Sequence, residues 1–289
     1  MNGVLILNKP KDFTSFDVVA KLRKILSIKK IGHGGTLDPL ATGVLPVFIG
    51  KATKIIEMIP DHDKKYIAGF KLGAVTDTQD ISGKIISKKE SKISFKDMNN
   101  ILKLFEGEIN QTPPMYSAVK INGRRLYEMA RKGQEVNREP RKVKIYNLNL
   151  LDFNEDAQEG KIEAEVSKGT YIRTLINDIG EKLEVGATLI SLNRTKAMGF
   201  DINMSENIEE IEKLKKENKI DNILISVEEA LRDLKSLNLN EMMINKIFNG
   251  VKIKFDLPGN IYYKVYNEKN IFIGVGYNKE GYFKIKNIV

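Results

Sequence analysis

One carboxylate stands out by its setting. Asp38 lies in GHGGTLDPLATGVLP, where Gly32, Gly34, Gly35 and Gly43 bracket Thr36-Leu37-Asp38-Pro39. Glycine permits positive φ and the close approach of another backbone. Pro39 biases the residue before it away from the helical region, which puts the Asp38 carboxylate on a rigid, extended turn. A carboxylate held between apolar Leu37 and Leu40 can act as a nucleophile. The same pattern fits a turn Asp that bonds its own backbone, and the local residues leave both readings open.

Arg173, in KGTYIRTLINDIGEKL, is the second chemically suggestive residue. It falls where an expected strand hands over to an expected helix. An Arg there can reach a carboxylate as a bidentate partner and so keep Asp38 ionised and aimed. It can equally be an ordinary surface arginine. Tyr171, two residues earlier, is expected on the same strand face. Tyr66, in KKYIAG, is flanked by basic residues. Rings interleaved with basic side chains suit an RNA surface, where they stack on unpaired bases; a strand Tyr with its hydroxyl at the rim fits as well. His33 has the chemistry to contact a phosphate or stack on a base. The run KINGRRLYEMARKG reads either as a phosphate-tracking face or as a solvated helix.

Several other chemistries are excluded. GHGGTL lacks the third glycine of a dinucleotide fingerprint, and neither a Gly-Lys-Ser/Thr phosphate loop nor a G-x-S-x-G elbow occurs. The chain has no Cys, so thiolate catalysis, disulfides and Cys-based zinc sites are ruled out. Its only imidazoles, His33 and His62, are far apart in sequence, so no metal is expected. Lys and Arg number 47 against 38 Asp and Glu, a net charge of +9 that favours a polyanionic partner. Hydrophobic residues at 42% and charged residues at 29% suit a folded chain with a sizeable core. The apolar run in MNGVLILNKPKD is too short for a signal peptide and no stretch has the length of a membrane span, so a cytoplasmic protein with no membrane partner is expected.

The elements that must position these residues can be read from periodicity and punctuation. Gly3 to Leu7 reads as a strand ending at Lys9-Pro10. Thr14-Ser15 offers a helix N-cap before the stripe Phe16, Val18, Val19, Leu22, Ile25 and Leu26. Val44 to Ile49 and KKYIAGFKLG read as strands, TDTQDISGKI as a turn, and Ser94 to Phe105 as an amphipathic helix stopped by Gly107. Beyond the Pro pair of QTPPMYSAVK, a strand is expected over Ser117 to Ile121, a tight turn at Asn122-Gly123 and a helix over Leu126 to Arg131. Lys142 to Phe153 and Lys161 to Ser167 are expected strands, the second alternating with a period of two, and Thr174 to Leu183 an expected helix. ENIEEIEKLKKENK is an expected solvated helix. From Val227 a helical segment precedes closely spaced β-rich runs, VKIKF, NIYYKVY, NIFIGVGY and GYFKIKNI, which suggest a small barrel-like domain beginning near residue 222.

In this order, LNKPKDFTSFDVV, GHGGTLDPLATGVLP, YIAGFKLGAVTDTQDISG, YSAVKINGRRLYEMARKG and SKGTYIRTLINDIGEKL resemble the bacterial tRNA pseudouridine synthase B (TruB) family over about residues 3 to 200. The resemblance implies a mixed α/β (α+β) catalytic domain around a mainly antiparallel sheet, residues 1–222, and a PUA-type RNA-binding module over residues 223–289. It implies isomerisation of the T-loop uridine of tRNA, position 55 in tRNA convention, to pseudouridine after the base is flipped out. Asp38 matches the catalytic aspartate, Tyr66 the tyrosine stacked on the target base and Arg173 the arginine paired with the aspartate. His33, Tyr171 and Leu192 match positions lining the bound nucleotide, and Lys9 and Pro10 a motif supporting the active-site loop. The reaction breaks the C1′–N1 bond and joins C5 to C1′ without oxidation or hydrolysis, so no cofactor is expected. The expected partner is tRNA, at its T-arm and acceptor end, bound by a monomer. A sister enzyme acting on ribosomal or guide-RNA targets and an RNA-binding protein without catalysis are the rival readings. Asn193, where the family usually has a second Arg, and Glu184, in place of a usual Gly, depart from the pattern.

Overall fold

A computed structural model of the protein describes residues 1–121, 123–259 and 261–286. Asn122 of the expected tight turn, and residues 260 and 287–288 of two expected strands, lie outside the described residues.

Strand β1 (Gly3–Lys9) is buried except at Asn8. Helix α1 (Ser15–Leu26) starts from a capping box: Thr14 Oγ1 accepts from the Asp17 N–H, and the Asp17 carboxylate accepts from the Thr14 N–H. Val18, Val19, Leu22 and Leu26 form its buried stripe. β2 (Ile31–His33) and β3 (Thr42–Ile49) flank the glycine-rich loop. β4 (Lys64–Leu72) is followed by the hairpin β5 (Ala74–Thr76) and β6 (Ile85–Lys88), then by helix α2 (Phe95–Leu102) and β7 (Gly107–Gln111). The expected strand over Ser117 to Ile121 shrinks to β8 (Lys120–Ile121), which pairs with β9 (Arg124–Arg125) before helix α3 (Leu126–Ala130). Its earlier residues are committed elsewhere, because the Ser117 and Val119 carbonyls accept the N–H groups of Tyr127 and Leu126 at 3.1 and 2.8 Å.

β10 (Arg141–Asn154) and β11 (Glu159–Val166) lead to helix α4 (Ile172–Lys182) and β12 (Ala187–Ala197), followed by the short β13 (Phe200–Asp201). α4 begins two residues earlier than its apolar spacing suggested. Past its C-cap Leu183 comes Glu184, whose φ of +60° lies in the left-handed region that glycine adopts without steric cost. That is the position at which the family resemblance implies a Gly. Helix α5 (Ile208–Lys216), helix α6 (Val227–Ala230), β14 (Lys235–Asn238), helix α7 (Glu241–Phe248) and strands β15 (Ile253–Lys254), β16 (Tyr262–Tyr266), β17 (Phe272–Lys279) and β18 (Tyr282–Lys286) complete the chain.

Two compact units emerge. The first comprises Met1–Asp38, Val44–Asp61 and Ile202–Val289. In it β1 lies beside β3, and β2 pairs antiparallel with β3, Ile31 opposite Ile49 and His33 opposite Val47. Two returning segments extend β1: Glu206 bonds Ile6 and Asn8, and Ile225 exchanges both backbone bonds with Val4 at 2.8 and 2.9 Å. The same unit carries a five-stranded sheet in the order β14-β16-β17-β18-β15, parallel at β14-β16 and otherwise antiparallel. That sheet has an apolar core of its own, with Leu239, Ile244 and Ile247 against Tyr263, Val265 and Phe283.

The second unit comprises Pro39–Gly43 and His62–Asp201. Its strands run β12-β4-β11-β10-β7, each pair antiparallel, while Thr42 and Gly43 at the start of β3 lie parallel to Asn193 and Arg194 of β12. The sheet is therefore mainly antiparallel. Its inner face holds Ala68, Phe70, Ile162, Ala164 and Leu189, and α4 packs against β12. Among the described residues no helix is long and apolar enough to cross a membrane.

Candidate active site

The loop that carries Asp38 is pinned from within the first unit. After β2, the Gly34 N–H donates to the Pro46 carbonyl at 2.8 Å. The Leu37 N–H donates to Ser15 Oγ at 2.8 Å, and the Ser15 hydroxyl donates to the Leu37 carbonyl at 3.2 Å. Ser15 and Leu37 are both buried, so these bonds replace water that neither group can reach. Asp38, next along, is half-buried. Ser15 is itself held through the turn before it. Lys9 is fully buried, and its ammonium donates to the carbonyls of Pro10 at 2.8 Å and Phe13 at 2.6 Å. Lys9 and Pro10 thus shape the entry to α1, whose first residue grips the Asp38 loop. His33, half-buried, ends β2 opposite Val47.

The joint from Asp38 to Pro39 passes into the second unit. Gly43 there has φ of +100°, and a Cβ on it would sit 2.3 Å from the Arg194 carbonyl oxygen, so no larger residue fits against β12. The Thr42 hydroxyl donates to the Leu192 carbonyl at 3.4 Å. Tyr66 lies on β4 between Ala164 of β11 and Arg194 of β12, two positions along β12 from Leu192. It is 6% exposed and Leu192 is 8% exposed. Tyr66 is therefore a residue of the interior, like Ala68 and Phe70 on the same face of β4. Its neighbour Lys65 pairs with Glu163 at 3.0 Å.

Arg173 occupies the first turn of α4 and is 4% exposed. Its guanidinium donates to the Thr78 carbonyl at 3.0 Å and to the Tyr116 carbonyl at 2.7 Å, and lies 3.8 Å from the Asp80 carboxylate. Asp80 is buried too. It accepts from the Thr78 hydroxyl at 2.8 Å, from the Ser82 N–H at 3.0 Å and from the Ser82 hydroxyl, which closes the turn between β5 and β6 into a rigid cradle. Gln79, at φ +64° in the same turn, accepts from the Thr174 hydroxyl at 3.0 Å. Tyr171 and Arg173 do not share a strand face: Tyr171 is the N-cap residue of α4 and Arg173 already belongs to the helix. At this N-cap the Gln111 side chain bonds both the N–H and the carbonyl of Tyr171.

Tyr66, Tyr171, Arg173 and Leu192 thus belong to the second unit, and Lys9, Pro10, His33 and Asp38 to the first. Ser15, Asp80 and Gln111 escaped the reading of the sequence. Asp80 was visible only as one acidic residue in a turn, and Ser15 only as a cap candidate; nothing local marked Gln111. The described residues of the run KINGRRLYEMARKG form the paired β8 and β9 and helix α3, with exposed Arg125 and Arg131 stacked 5.8 and 5.5 Å from the Tyr127 ring.

Electrostatics single out Asp178 on α4. Burial, reinforced by the nearby Glu181 carboxylate, pushes its pKa up to about 6 against a weaker opposing hydrogen bond from Asn177. The folded chain then holds that proton more tightly than the unfolded chain. Asp178 stabilises the fold least once deprotonated, so stability falls as pH rises from about 4 to about 6 and stays lowered above that. Asp178→Asn is expected to remove this fall. Above pH 7 it should raise Tm by about 2–4 °C, equivalent to about 1 kcal/mol after discounting for solvent that reaches the carboxylate. Thermal melts of both proteins from pH 4.5 to 8 check this, and parallel Tm curves would contradict it.

The TruB family pseudouridylate synthase N-terminal domain matches residues 23–172, and the tRNA pseudouridylate synthase B C-terminal domain matches residues 173–232. The chain is similar to tRNA pseudouridine synthase B of Clostridium tetani, 46% identical over 296 residues and 100% of each chain. The enzyme of the same name from Clostridium perfringens strain 13 is 43% identical over 299 residues, covering 100% of this chain and 99% of that one. Among solved structures, one of a Cbf5-Nop10-Gar1 complex matches at a TM-score of 0.75 and 25% identity, over 99% of this chain and 85% of that chain. An archaeal box H/ACA sRNP Nop10-Cbf5 complex shares the fold at a TM-score of 0.72 and 23% identity, over 99% and 85%. The chain belongs to the TruB family of pseudouridylate synthases.

Proposed function

We propose that this chain converts the T-loop uridine of tRNA, position 55 in tRNA convention, to pseudouridine, with Asp38 as the nucleophile. The observation that carries the reading is the Thr36-Leu37-Asp38-Pro39 loop, whose backbone is held on both sides of Leu37 by Ser15. A carboxylate on a fixed backbone is aimed before substrate arrives. The target base must leave its stack, at a cost of a few kcal/mol that contacts to the flipped nucleotide offset. Asp38 then acts while the C1′–N1 bond opens. The freed uracil turns, C5 joins C1′, and the C5 proton is lost as N1 gains one. Tyr66 and Leu192 form walls for the turning base, Tyr171 and His33 further contacts, and Arg173 holds Asp38 ionised. The test is to incubate an unmodified tRNA transcript with the protein and map pseudouridine by position. Modification elsewhere, or in a ribosomal or guide-paired RNA instead, would favour the sister-enzyme reading.

The role of Tyr66 has its own test. Tyr66→Ala is expected to lose about 1–3 kcal/mol of base stacking, and Tyr66→Phe to keep it. Wild-type single-turnover rates for the Ala protein would show that the ring does not meet the base.

The C-terminal module, expected over residues 223–289, is proposed to grip the acceptor end of tRNA. Contacts to distant backbone supply affinity and register rather than chemistry. The Ile225 bonds to Val4 argue for truncating after Leu234, which keeps β1 complete and removes only the five-stranded sheet and α7. The truncated protein, shown to melt cooperatively, should bind tRNA more weakly and with a flatter salt dependence, because phosphate contacts are lost. Its saturated single-turnover rate should change much less. Full-length affinity at every salt concentration would remove the module from RNA binding.

A further inference from the structure

The Gln111 amide makes a paired contact that the proposed chemistry does not call on. Gln111 is the last residue of β7, opposite Arg141 of β10, and is 2% exposed. Its Nε2–H donates to the Tyr171 carbonyl at 3.1 Å, and its Oε1 accepts from the Tyr171 N–H at 2.8 Å. Both backbone polar groups of one residue are thus taken by one side chain, as a neighbouring strand would take them. The Tyr171 carbonyl also accepts the Leu175 N–H at 3.0 Å, the bond that opens α4. The Tyr171 side chain makes no capping bond, and the Gln111 amide meets the backbone at this N-cap position.

The contacts made just beyond Tyr171 depend on that register. Arg173 must meet the Thr78 and Tyr116 carbonyls, and Thr174 must meet Gln79. A one-residue slip at the helix start would turn Arg173 by about 100° about the helix axis and remove it from both carbonyls. Gln111 also begins the segment that carries Tyr116. One amide therefore ties the strand end that leads to an acceptor of Arg173 and the helix start that presents Arg173 itself.

We infer that Gln111 is a positioning residue for the reaction, setting the register of α4 and through it the seat of Arg173. The inference rests on the proposed role of Arg173. Only a neutral group that donates and accepts side by side fits the site. A carboxylate there would accept from the Tyr171 N–H but would face the Tyr171 carbonyl without a proton. A carboxylic acid would restore both bonds.

That difference supplies the test. Gln111→Ala, shown folded by cooperative melting, is expected to lower the single-turnover rate on tRNA about tenfold or more, with tRNA affinity within about threefold. Gln111→Glu is expected to be as slow at pH 8 and to recover toward the wild-type rate at the same pH as the pH falls to 5.5, because burial at this position raises the carboxyl pKa. The ratio of Gln111→Ala to wild type should stay flat over the same interval. Backbone hydrogen exchange across residues 171–175, corrected for intrinsic rates, should quicken in Gln111→Ala and follow pH in Gln111→Glu. If Gln111→Ala does not fold, the recovery of Gln111→Glu at low pH carries the test alone. A flat pH ratio for Gln111→Glu, or unchanged exchange protection, overturns the positioning role whatever the activity. Lost protection in a chain whose wild-type form makes no pseudouridine would instead overturn the proposed function and leave the tie to α4 standing.

Discussion

Asp38→Asn is expected to abolish pseudouridine formation while leaving tRNA affinity within a few-fold of wild type. Asn keeps the shape of the side chain and its place before Pro39. It leaves untouched the Ser15 bonds to Leu37, which engage backbone only. What it removes is the negative charge and the nucleophilic oxygen. No other group in the proposed chemistry replaces these, so the loss should reach several orders of magnitude, equivalent to more than about 5 kcal/mol of barrier. The measurement is pseudouridine mapped after long incubation with excess Asp38→Asn protein of verified sequence, beside a binding curve. Multiple turnover by that protein would remove Asp38 from the nucleophile's role. A large loss of affinity would mean instead that the carboxylate organises the loop for binding.

Arg173→Lys is expected to be the next most damaging change, despite keeping the charge. The guanidinium serves two carbonyls on different segments, Thr78 and Tyr116, and lies near the Asp80 carboxylate. A planar fork spans such acceptors from fixed directions, whereas an ammonium donates from one atom. With Lys, at least one part-buried carbonyl is left short of a donor, at a cost of about 1 kcal/mol. The β5–β6 turn and the loop through Tyr116 lose their shared anchor. The single-turnover rate is expected to fall by about 100-fold or more, a larger factor than the fall in affinity. Stability should drop by the amount of the lost bond, read from urea unfolding. Unchanged single-turnover rates would show that Arg173 braces its own unit and has no part in holding Asp38 ionised.

The two residues show where reading the sequence succeeds and where it stops. Asp38 is marked locally by glycines before it, a proline after it and apolar neighbours. Arg173 was expected at a strand-to-helix junction and is found near one, but its surroundings were not foreseen. The helix starts at Ile172 rather than Thr174, and Tyr171 caps it instead of sharing a strand face with Arg173. Apolar spacing places a helix to within a turn. At the residue where the extended chain gives way to the helix, the backbone meets the Gln111 amide from β7, a contact that no local pattern encodes.

The sequence by itself determined the elements whose causes lie within a few residues. The Thr14–Asp17 capping box spans three residues, the stripe of α1 repeats every turn, and β11 alternates with a period of two. It also excluded thiol chemistry, and through five ordered motifs it pointed to the TruB family. Only the tertiary structure decided what holds the reactive groups. Ser15 reaches Leu37 across 22 residues, Gln111 reaches Tyr171 across 60, and Arg173 reaches Tyr116 and Thr78 across 57 and 95. Each is a buried or part-buried polar contact between segments that only the folded chain brings together. A backbone carbonyl looks the same in every residue, so the sequence names the donor side chain and is silent on the acceptor. Which carbonyl it meets is settled by strand order and register, because burial then leaves each polar group only the partners that packing brings within reach.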